Sequence, residues 1–301
     1  MRVVVTGASG FTGQALCAAL QQHDGYEVHG LSRSSTHKDC AWPMHTLDLR
    51  DAQAVQSLFA QLRPAALIHL AARSFVDDDD LIGFYDHNVV ATSHVLDAAR
   101  DHGAERVIMA SSANVYGVPP SAAALTESAP LAPVNHYGAS KLAAEHIART
   151  YNDDFALSIT RCFNYTGIGQ AAHFLVPKLV AHFADRKTHI DLGNLEVARD
   201  YTALDDVVAA YLALLSADRN IVAGQTVNIC SNHIYSLQEL LETLSKLSGH
   251  HIEVRSQPHF VRRHDIAILR GDYSALHALT GWQPRQAIPD LLAHMLATTQ
   301  R

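Results

Sequence analysis

The 301-residue chain contains only four cysteines, no long apolar run, and fewer basic than acidic residues. The cysteines lie far apart without metal-ligand spacing, and the 20 histidines form no HExxH motif, so we expect neither disulfides nor a bound metal. The formal net charge of -7 argues against nucleic-acid binding. No apolar run has membrane-spanning length, and Met1-Arg2 leads directly into a predicted strand. We therefore expect a cytoplasmic protein that binds neither membranes nor nucleic acids.

The first predicted strand runs directly into three glycines, Gly7, Gly10 and Gly13, and then into a helical pattern. Glycine at these positions permits a tight turn, a close approach of backbone N–H groups to phosphates, and close packing of a helix on a strand. The pattern predicts a cradle for the pyrophosphate of a dinucleotide. The cofactor contacts expected in this segment are Gly7, Ser9, Gly10, Phe11, Thr12 and Gly13.

The residues that follow the second predicted strand indicate which dinucleotide binds. An NAD site of this kind usually has an acidic residue there, which accepts a hydrogen bond from the ribose 2′-hydroxyl. This chain has Ser32 and Arg33 instead, and a guanidinium with neighbouring hydroxyls suits a 2′-phosphate. NADP(H) is therefore preferred, with NAD(H) as the alternative. Asp48 is a candidate acceptor for the adenine amino group, and Leu49 beside it is included in the predicted cofactor site.

Predicted strands and helices alternate through the first half of the chain. Apolar runs at 2–6, 27–31, 66–70, 106–110 and 157–162 predict strands, and helical patterns lie at 12–22, 51–62, 80–102, 137–151, 174–185, 205–217 and 236–248. The alternation predicts an α/β fold, a doubly wound parallel Rossmann sheet with a smaller, interleaved C-terminal α/β part that binds substrate. We assign 1–163 and about 196–222 to the dinucleotide-binding domain, and about 164–195 and 223–301 to the substrate-binding part.

Tyr137 and Lys141 lie four residues apart in a predicted helix and therefore share one of its faces. We expect the ammonium of Lys141 to lower the pKa of the Tyr137 phenol, so that Tyr137 exchanges a proton near neutral pH. Ser112, at the end of the preceding predicted strand, is placed to hydrogen-bond the substrate oxygen that Tyr137 protonates. The alternative is that Tyr137 and Lys141 are two exposed side chains on a helix surface with no catalytic role, but the glycine-rich turn upstream favours catalysis.

Segments along most of the chain resemble those of extended short-chain dehydrogenases/reductases, in the branch that modifies nucleotide sugars. The matching segments are Thr6–Gly13, His69–Ala72, Asn88, Ser111–Gly117, Tyr137–Lys141, Arg161–Gly167, Arg199–Tyr201 and Thr280–Pro284. The resemblance implies that Ser112, Tyr137 and Lys141 form a catalytic triad. It also implies that Asn88 anchors a helix bend and a proton-relay water, and that Ala71 and Ala72, with Leu70 beside them, line the cofactor channel. The predicted cofactor site also includes Asn88, Tyr137 and Lys141, and Lys141 is expected to bond the nicotinamide ribose.

Three reactions of that branch compete. Dehydratases place acidic residues directly after the catalytic serine or threonine, whereas this chain has Ala113 and Asn114, which disfavours dehydration. 4-Epimerases resembling UDP-galactose 4-epimerase hold NAD tightly, usually beside an acidic residue that Ser32-Arg33 replaces here. A reductase of a 4-keto-6-deoxy sugar takes fresh NADPH at each turnover and needs only the serine, tyrosine and lysine. The sequence favours the reductase and leaves the epimerase as its alternative.

The second half of the chain resembles enzymes that use GDP-linked sugars. The similar segments are Arg161–Gln170, in which Cys162, Tyr165 and Ile168 depart from the pattern, Gly193–Tyr201 and Arg262–Asp265. The predicted substrate residues are Ser112, Asn164, Val176, Arg199, Arg262 and Asp265. Asn164 and the two arginines are expected at the diphosphate, and Asp265 at the nucleotide ribose. The expected substrate is a nucleotide-diphosphate-linked sugar, with GDP-4-keto-6-deoxy-D-mannose as the first choice and GDP-rhamnose or GDP-6-deoxy-talose as its product.

Two further expectations concern partners. Proteins of this fold sometimes bind NADP without catalysis and act as sensors, an alternative that an intact serine, tyrosine and lysine set disfavours. The predicted helices at 80–102 and 137–151 have apolar stripes and pair with their copies in relatives. We therefore expect a homodimer built around a four-helix bundle, although the same stripes also suit packing on the core of one chain.

Overall fold

The computed structural model describes residues 1–34, 40–74, 80–195, 197–257 and 266–299. Its strands are β1 (Arg2–Thr6), β2 (Glu27–Ser32), β3 (Met44–Thr46), β4 (Ala66–His69), β5 (Arg106–Ser112), β6 (Ala156–Cys162), β7 (Asn164–Thr166), β8 (His189–Leu192), β9 (Ala198–Ala203), β10 (Gln225–Ile229), β11 (Ile234–Ser236), β12 (Glu253–Ser256) and β13 (Ile268–Leu269). Its helices are α1 (Phe11–Gln21), α2 (Ala52–Leu62), α3 (Leu81–Tyr85), α4 (Ala91–Asp101), α5 (His136–Arg149), α6 (Leu175–Ala184), α7 (Leu204–Ser216), α8 (Arg219–Val222), α9 (Leu237–Ser248), α10 (Ser274–Thr280) and α11 (Ile288–Thr299).

Seven strands form one sheet in the order β10-β6-β5-β4-β1-β2-β3, and every adjacent pair is parallel. Val3, Val4 and Val5 of the central strand are fully buried, because helices cover both faces of the sheet. The order of the strands reverses between β1 and β4. A crevice at the carboxyl ends of the strands opens at such a point and is where doubly wound folds bind ligands. The predicted doubly wound parallel sheet is confirmed.

Two apolar cores lie on opposite faces of this sheet, and a third lies outside it. The first core joins the sheet to α1, α7 and α10, and the second joins it to α2, α4 and α5. The third core is formed by α6, α9 and α11 with β8 and β9. Small sheets accompany the third core, since β9 pairs with β7, β11 and β13, and β8 pairs with β12. None of the helices in the described ranges is long and apolar enough to cross a membrane.

Buried polar groups connect the small sheets to the rest of the fold. The Asp200 carboxylate on β9 is fully buried and accepts hydrogen bonds from the backbone N–H groups of Ser231, Asn232 and Gly271. Burial raises the pKa of Asp200, and these donors oppose that shift. The indole of Trp282 donates to the Asp206 carbonyl over 3.0 Å. The second part of the chain is therefore fastened to the large sheet through both backbone and side-chain groups.

Three differences from the predicted elements concern the large sheet and the helices beside it. The pattern at 80–102 is divided into α3, a π-helical turn at Asp86–Val90, and α4. Sequence reasoning missed β3, which is only three residues long. It also placed 223 onward in the substrate-binding part, whereas β10 pairs with β6 and closes one edge of the large sheet.

Candidate active site

The glycine-rich turn brings β1, α1 and the end of β4 into direct contact. Gly7 has a φ of 69°, in the left-handed region, and a Cβ atom on it would lie 2.9 Å from the backbone nitrogen of Ala71. A Cβ on Gly13 would lie only 2.2 Å from the carbonyl oxygen of Gly7. Side chains at either position would push the helix or the β4 loop away from the turn.

The first turn of α1 presents backbone donors to the crevice. Gly10 is the N-cap of the helix, and its cap is formed without a side-chain hydrogen bond. The helix dipole adds positive potential at this end. An N-terminus bordered by glycine in this way fits the pyrophosphate of a dinucleotide. Of the other residues predicted here, Ser9 hydrogen-bonds Ser32, whereas Phe11 stacks on Tyr165 and Thr12 hydrogen-bonds the Tyr165 hydroxyl over 2.8 Å.

A buried hydrogen-bond chain fixes the end of β4, where Leu70, Ala71 and Ala72 were predicted to line the cofactor channel. His69 Nδ1 lies 2.7 Å from the Thr6 hydroxyl, and His69 Nε2 lies 2.9 Å from the Thr92 hydroxyl. The Thr6 hydroxyl oxygen also accepts from the backbone N–H of Ala71 over 3.1 Å. Burial lowers the pKa of His69 to about 3, so this ring is a neutral structural link at physiological pH.

At the end of β2, the predicted 2′-phosphate residues lie together. The hydroxyls of Ser9 and Ser32 are 2.7 Å apart, and the Arg33 guanidinium is exposed and contacts His87 Nε2 over 2.9 Å. Asp48 is bound by its neighbour Arg50 through both oxygens, with a shortest contact of 2.6 Å. That pairing lowers the pKa of Asp48 to about 2, so the carboxylate is ionised. Leu49 is half-buried against the second core.

Asn88 lies fully buried at the centre of the π-helical turn. Its amide oxygen accepts from the Arg73 backbone N–H over 2.7 Å, and its amide nitrogen donates to the Arg73 carbonyl and to the Ser140 hydroxyl, each over 3.0 Å. The side chain thus connects the β4 loop to α5 through the widened turn. Single π turns of this kind are frequent at functional sites.

The three predicted catalytic residues meet at the carboxyl end of β5. Ser112 is its last residue, and Tyr137 and Lys141 lie one turn apart near the start of α5. The Ser112 oxygen accepts two hydrogen bonds from Asn114, one from its backbone and one from its side chain, each over 3.2 Å. Because these donors occupy the oxygen, the Ser112 hydroxyl hydrogen is directed to its hydrogen-bond partner Tyr137. Sequence reasoning missed this orienting role of Asn114.

The ionisation of the triad differs from the prediction in one respect. Burial raises the pKa of Tyr137, and the hydrogen bond from Ser112 opposes that shift. The net pKa of this phenol is therefore raised and not lowered as expected, because desolvation is the largest contribution. Burial also lowers the pKa of Lys141 to about 8, while the charge of Glu145 acts in the opposite direction. Tyr137 is accordingly a neutral phenol at neutral pH, the form that can donate a proton.

Glu145 and Arg161 form a buried polar network behind the triad that sequence reasoning did not identify. Arg161 contacts both carboxylate oxygens of Glu145, over 2.8 and 3.0 Å. The same carboxylate accepts from the Ser111 hydroxyl, and the guanidinium lies 5.0 Å from the centre of the Tyr116 ring. The sequence signal was available: an arginine inside an apolar strand, and a glutamate one helical turn after Lys141.

The predicted substrate residues are only partly brought together. Asn164 is exposed on β7, and Arg199 lies on the adjacent strand β9. Arg199 Nη1 donates to the Ala198 carbonyl over 3.0 Å. Val176 is 3% exposed and packs in the third core, and its contact with substrate stays a prediction. Arg262 and Asp265 lie outside the described residues.

Comparison with known proteins agrees with this geometry. The model of the NAD dependent epimerase/dehydratase family matches residues 3–230. GDP-6-deoxy-D-talose 4-dehydrogenase of Aggregatibacter actinomycetemcomitans is 34% identical, over 93% of this chain and 92% of that protein. GDP-6-deoxy-D-mannose reductase of Pseudomonas aeruginosa is 30% identical, over 98% and 96%. The relatives also include UDP-glucose 4-epimerases.

A solved structure shows the same fold with a dinucleotide bound. RMD from Pseudomonas aeruginosa, complexed with NADPH, superposes with a TM-score of 0.84 at 29% identity, over 99% of each chain. The glycine turn, the parallel sheet and the triad all lie within the part of the chain that the family model matches. This chain therefore belongs to the NAD dependent epimerase/dehydratase family, within the extended short-chain dehydrogenases/reductases.

Proposed function

We propose that this protein is an NADPH-dependent reductase that converts a nucleotide-linked 4-keto-6-deoxy sugar, with GDP-4-keto-6-deoxy-D-mannose as the preferred substrate, to its 4-hydroxy product. The observation that carries the proposal is the triad itself: a neutral Tyr137 bonded to Ser112 at the mouth of a dinucleotide cradle. The two residues after Ser112 are Ala113, which is buried, and Asn114, which is half-buried. Neither supplies the acid and base that a dehydration needs.

The residues suited to hold the cofactor are those of the glycine turn and of the β2 end. The backbone N–H groups at the start of α1 face a pyrophosphate, and Arg33 with Ser32 faces a 2′-phosphate. When bound, the nicotinamide supplies the hydride that reduces a carbonyl carbon. The NADPH named in the Pseudomonas aeruginosa RMD structure supports this choice, as does Arg33 at the position where an NAD site usually has an acid.

The proton for the new hydroxyl comes from Tyr137. Its phenol donates to the carbonyl oxygen of the substrate as negative charge develops there. Ser112 donates a second hydrogen bond to the same oxygen, since Asn114 leaves its hydroxyl hydrogen free to point into the site. Lys141 adds positive charge beside the phenol and stabilises the phenolate that remains after proton transfer. The cycle closes when Tyr137 is reprotonated from solvent.

The substrate diphosphate is held by the second part of the chain in this proposal. Asn164 and Arg199 lie on the adjacent strands β7 and β9, and a guanidinium is well suited to phosphate oxygens. Arg262 and Asp265 are proposed for the diphosphate and the nucleotide ribose on the family resemblance. The names of the GDP-6-deoxy-D-talose and GDP-6-deoxy-D-mannose enzymes favour a GDP-linked sugar.

We also propose that the protein acts in the cytoplasm as a homodimer. The apolar side chains of Leu81, Ile82, Tyr85 and Val90 are exposed on the segment that contains α3 and the π turn. Packing of this segment and α5 against their copies would remove those side chains from water. The division into a dinucleotide-binding domain and a substrate-binding part remains a proposal, in which β10 joins the former because it pairs with β6, and β9 joins the latter because it pairs with β7, β11 and β13.

The experiment is an assay of NADPH oxidation with separately supplied 4-keto-6-deoxy sugars linked to GDP, dTDP and UDP. We expect oxidation with the GDP-linked sugar, strongly reduced by Tyr137→Phe. Interconversion of UDP-sugars without net use of cofactor would identify an epimerase instead. NADP(H) binding without turnover in either assay would favour the sensor role.

A further inference from the structure

His87 and Arg33 form a polar pair at the outer end of the dinucleotide crevice. Arg33 follows β2, and His87 lies on the π-helical turn between α3 and α4. One guanidinium nitrogen of Arg33 lies 2.9 Å from His87 Nε2, and His87 Nδ1 lies 2.9 Å from the carbonyl oxygen of Gly83. The sequence motifs singled out Arg33 alone.

The partners of His87 determine its protonation state in this arrangement. The Gly83 carbonyl only accepts, so His87 Nδ1 carries a hydrogen. A guanidinium only donates, so His87 Nε2 offers its lone pair to Arg33. The ring is therefore the neutral Nδ1–H tautomer, and a proton added to Nε2 would face the N–H groups of Arg33. A protonated His87 and Arg33 would then be adjacent cations without an acceptor between them.

A phosphate dianion resolves that conflict. Placed between the two side chains, it accepts from the guanidinium and from the newly protonated Nε2–H of His87 at the same time. The ring keeps its bond to Gly83, which already orients Nε2 toward Arg33. Because Arg33 is exposed, a change of its rotamer would separate the two nitrogens enough to admit an oxygen. The hydroxyls of Ser9 and Ser32, 2.7 Å apart at the same strand end, add further donors.

Among the described residues, the other charged groups near His87 are both acidic and basic. Asp48, beyond the end of the neighbouring strand, lies within electrostatic reach of the His87 ring. Asp86 precedes His87 on the same turn, and its charge acts on Arg50, the partner of Asp48. Asp48 and Arg50 neutralise each other through their ion pair. Arg33 and a bound anion are therefore the groups that decide whether His87 takes up a proton.

We propose that His87 is a second cationic residue for the cofactor 2′-phosphate, and that it makes the preference for NADPH over NADH increase as pH falls. The proposal rests on the proposed NADP(H) specificity. His87 is a specificity-determining residue here and has no part in the chemical step. NADH lacks the 2′-phosphate and gains nothing from a proton on His87.

The test measures binding, not turnover, by titrating the purified protein with NADPH and with NADH in a calorimeter at about pH 6 and pH 8.5. We expect His87→Gln to weaken NADPH binding about tenfold at the lower pH and much less at the higher pH, because the variant lacks one charge-assisted hydrogen bond. NADH binding should not change. The 2′-phosphate of free NADPH ionises in the same way whether wild type or His87→Gln is titrated, so its contribution to the pH dependence cancels when the two are compared.

Two further variants make the result decisive. His87→Lys keeps a cation at every pH and should bind NADPH tightly with no added pH dependence, whereas His23→Gln, an exposed histidine beyond α1, should match the wild type. If Arg33→Ala lowers the NADPH to NADH preference but His87→Gln leaves it unchanged at both pH values, the role of His87 is overturned while the NADP(H) specificity stands. If Arg33→Ala also has no effect, both are overturned.

Discussion

Glu145 and Arg161 form a two-point ion pair from which water is almost completely excluded, since 1% and 2% of their side chains are exposed. The pair joins α5, which carries Tyr137 and Lys141, to β6, the second strand from one edge of the large sheet. Its position directly behind the triad means that the geometry of the catalytic helix depends on a buried electrostatic contact.

Removing one member of this pair should destabilise the fold strongly. We expect Glu145→Gln to lower the free energy of unfolding by about 3–5 kcal/mol, because Arg161 is left as a buried charge without its partner. Urea denaturation measures the loss. Arg100→Ala breaks an ion pair on the surface and serves as the control, for which a far smaller effect is expected. Equal losses in the two variants would contradict the inferred importance of burial.

Lys141 predicts a specific dependence of stability on pH. Its pKa in the folded protein is about 8, against an ordinary value of 10.5, so the unfolded chain binds more protons between these values. The contribution of Lys141 to stability must therefore rise as pH increases through this window. We expect the free energy of unfolding of Lys141→Met at pH 7 to exceed that of the wild type by up to about 3 kcal/mol. That advantage should shrink toward pH 10.5 and would be constant if Lys141 were not desolvated.

Gly13 offers a test of the phosphate cradle. In a helix interior, glycine to alanine normally stabilises by about 1 kcal/mol. Here the added Cβ would lie 2.2 Å from the Gly7 carbonyl oxygen, so α1 must shift from the turn. We expect Gly13→Ala to lose both stability and NADPH affinity, the latter by more than about tenfold. Gln21→Ala, exposed at the end of the same helix, is the control and should bind NADPH normally.

The proposed dimer depends on the apolar surface around α3. Ile82 is 72% exposed, and its replacement by aspartate would place a charge within the interface of the proposed four-helix bundle. We expect Ile82→Asp to sediment as a monomer under conditions where the wild type is a dimer. Ile221→Asp, at a residue that is 50% exposed on α8, should leave the assembly intact. A wild-type protein that sediments as a monomer would remove the basis for this interface.

The elements of the fold that rest on local patterns were predictable from the sequence. The α5 and α9 helices begin within one residue of the predicted starts, since each has a side-chain cap, Asn135 and Ser236, before an apolar stripe. β3 was not found because three partly exposed residues show no periodicity. β10 was placed in the wrong part because its neighbour β6 lies over 60 residues earlier in the chain, and pairing at that distance leaves no local signal.

The candidate site was predictable where a motif has fixed spacing and not where tertiary contacts decide. Tyr137 and Lys141 were identified from their helical spacing, but the pKa of Tyr137 was misjudged because burial cannot be read from four residues of sequence. The link between Arg33 and His87 joins segments 54 residues apart. Val176 was predicted as a substrate contact, and its side chain packs in the third core between α6, α9 and α11, a burial that no local pattern indicated.

The central claim is tested most directly by following NADPH oxidation with GDP-4-keto-6-deoxy-D-mannose in wild type and in Tyr137→Phe. We expect turnover by the wild type and a loss of about 10²- to 10⁴-fold in kcat for the variant, because the proton donor is removed. NADPH binding should be retained in the variant, since Tyr137 is not part of the phosphate cradle. Wild-type activity that survives in Tyr137→Phe, or no oxidation with this substrate, would contradict the proposed reductase.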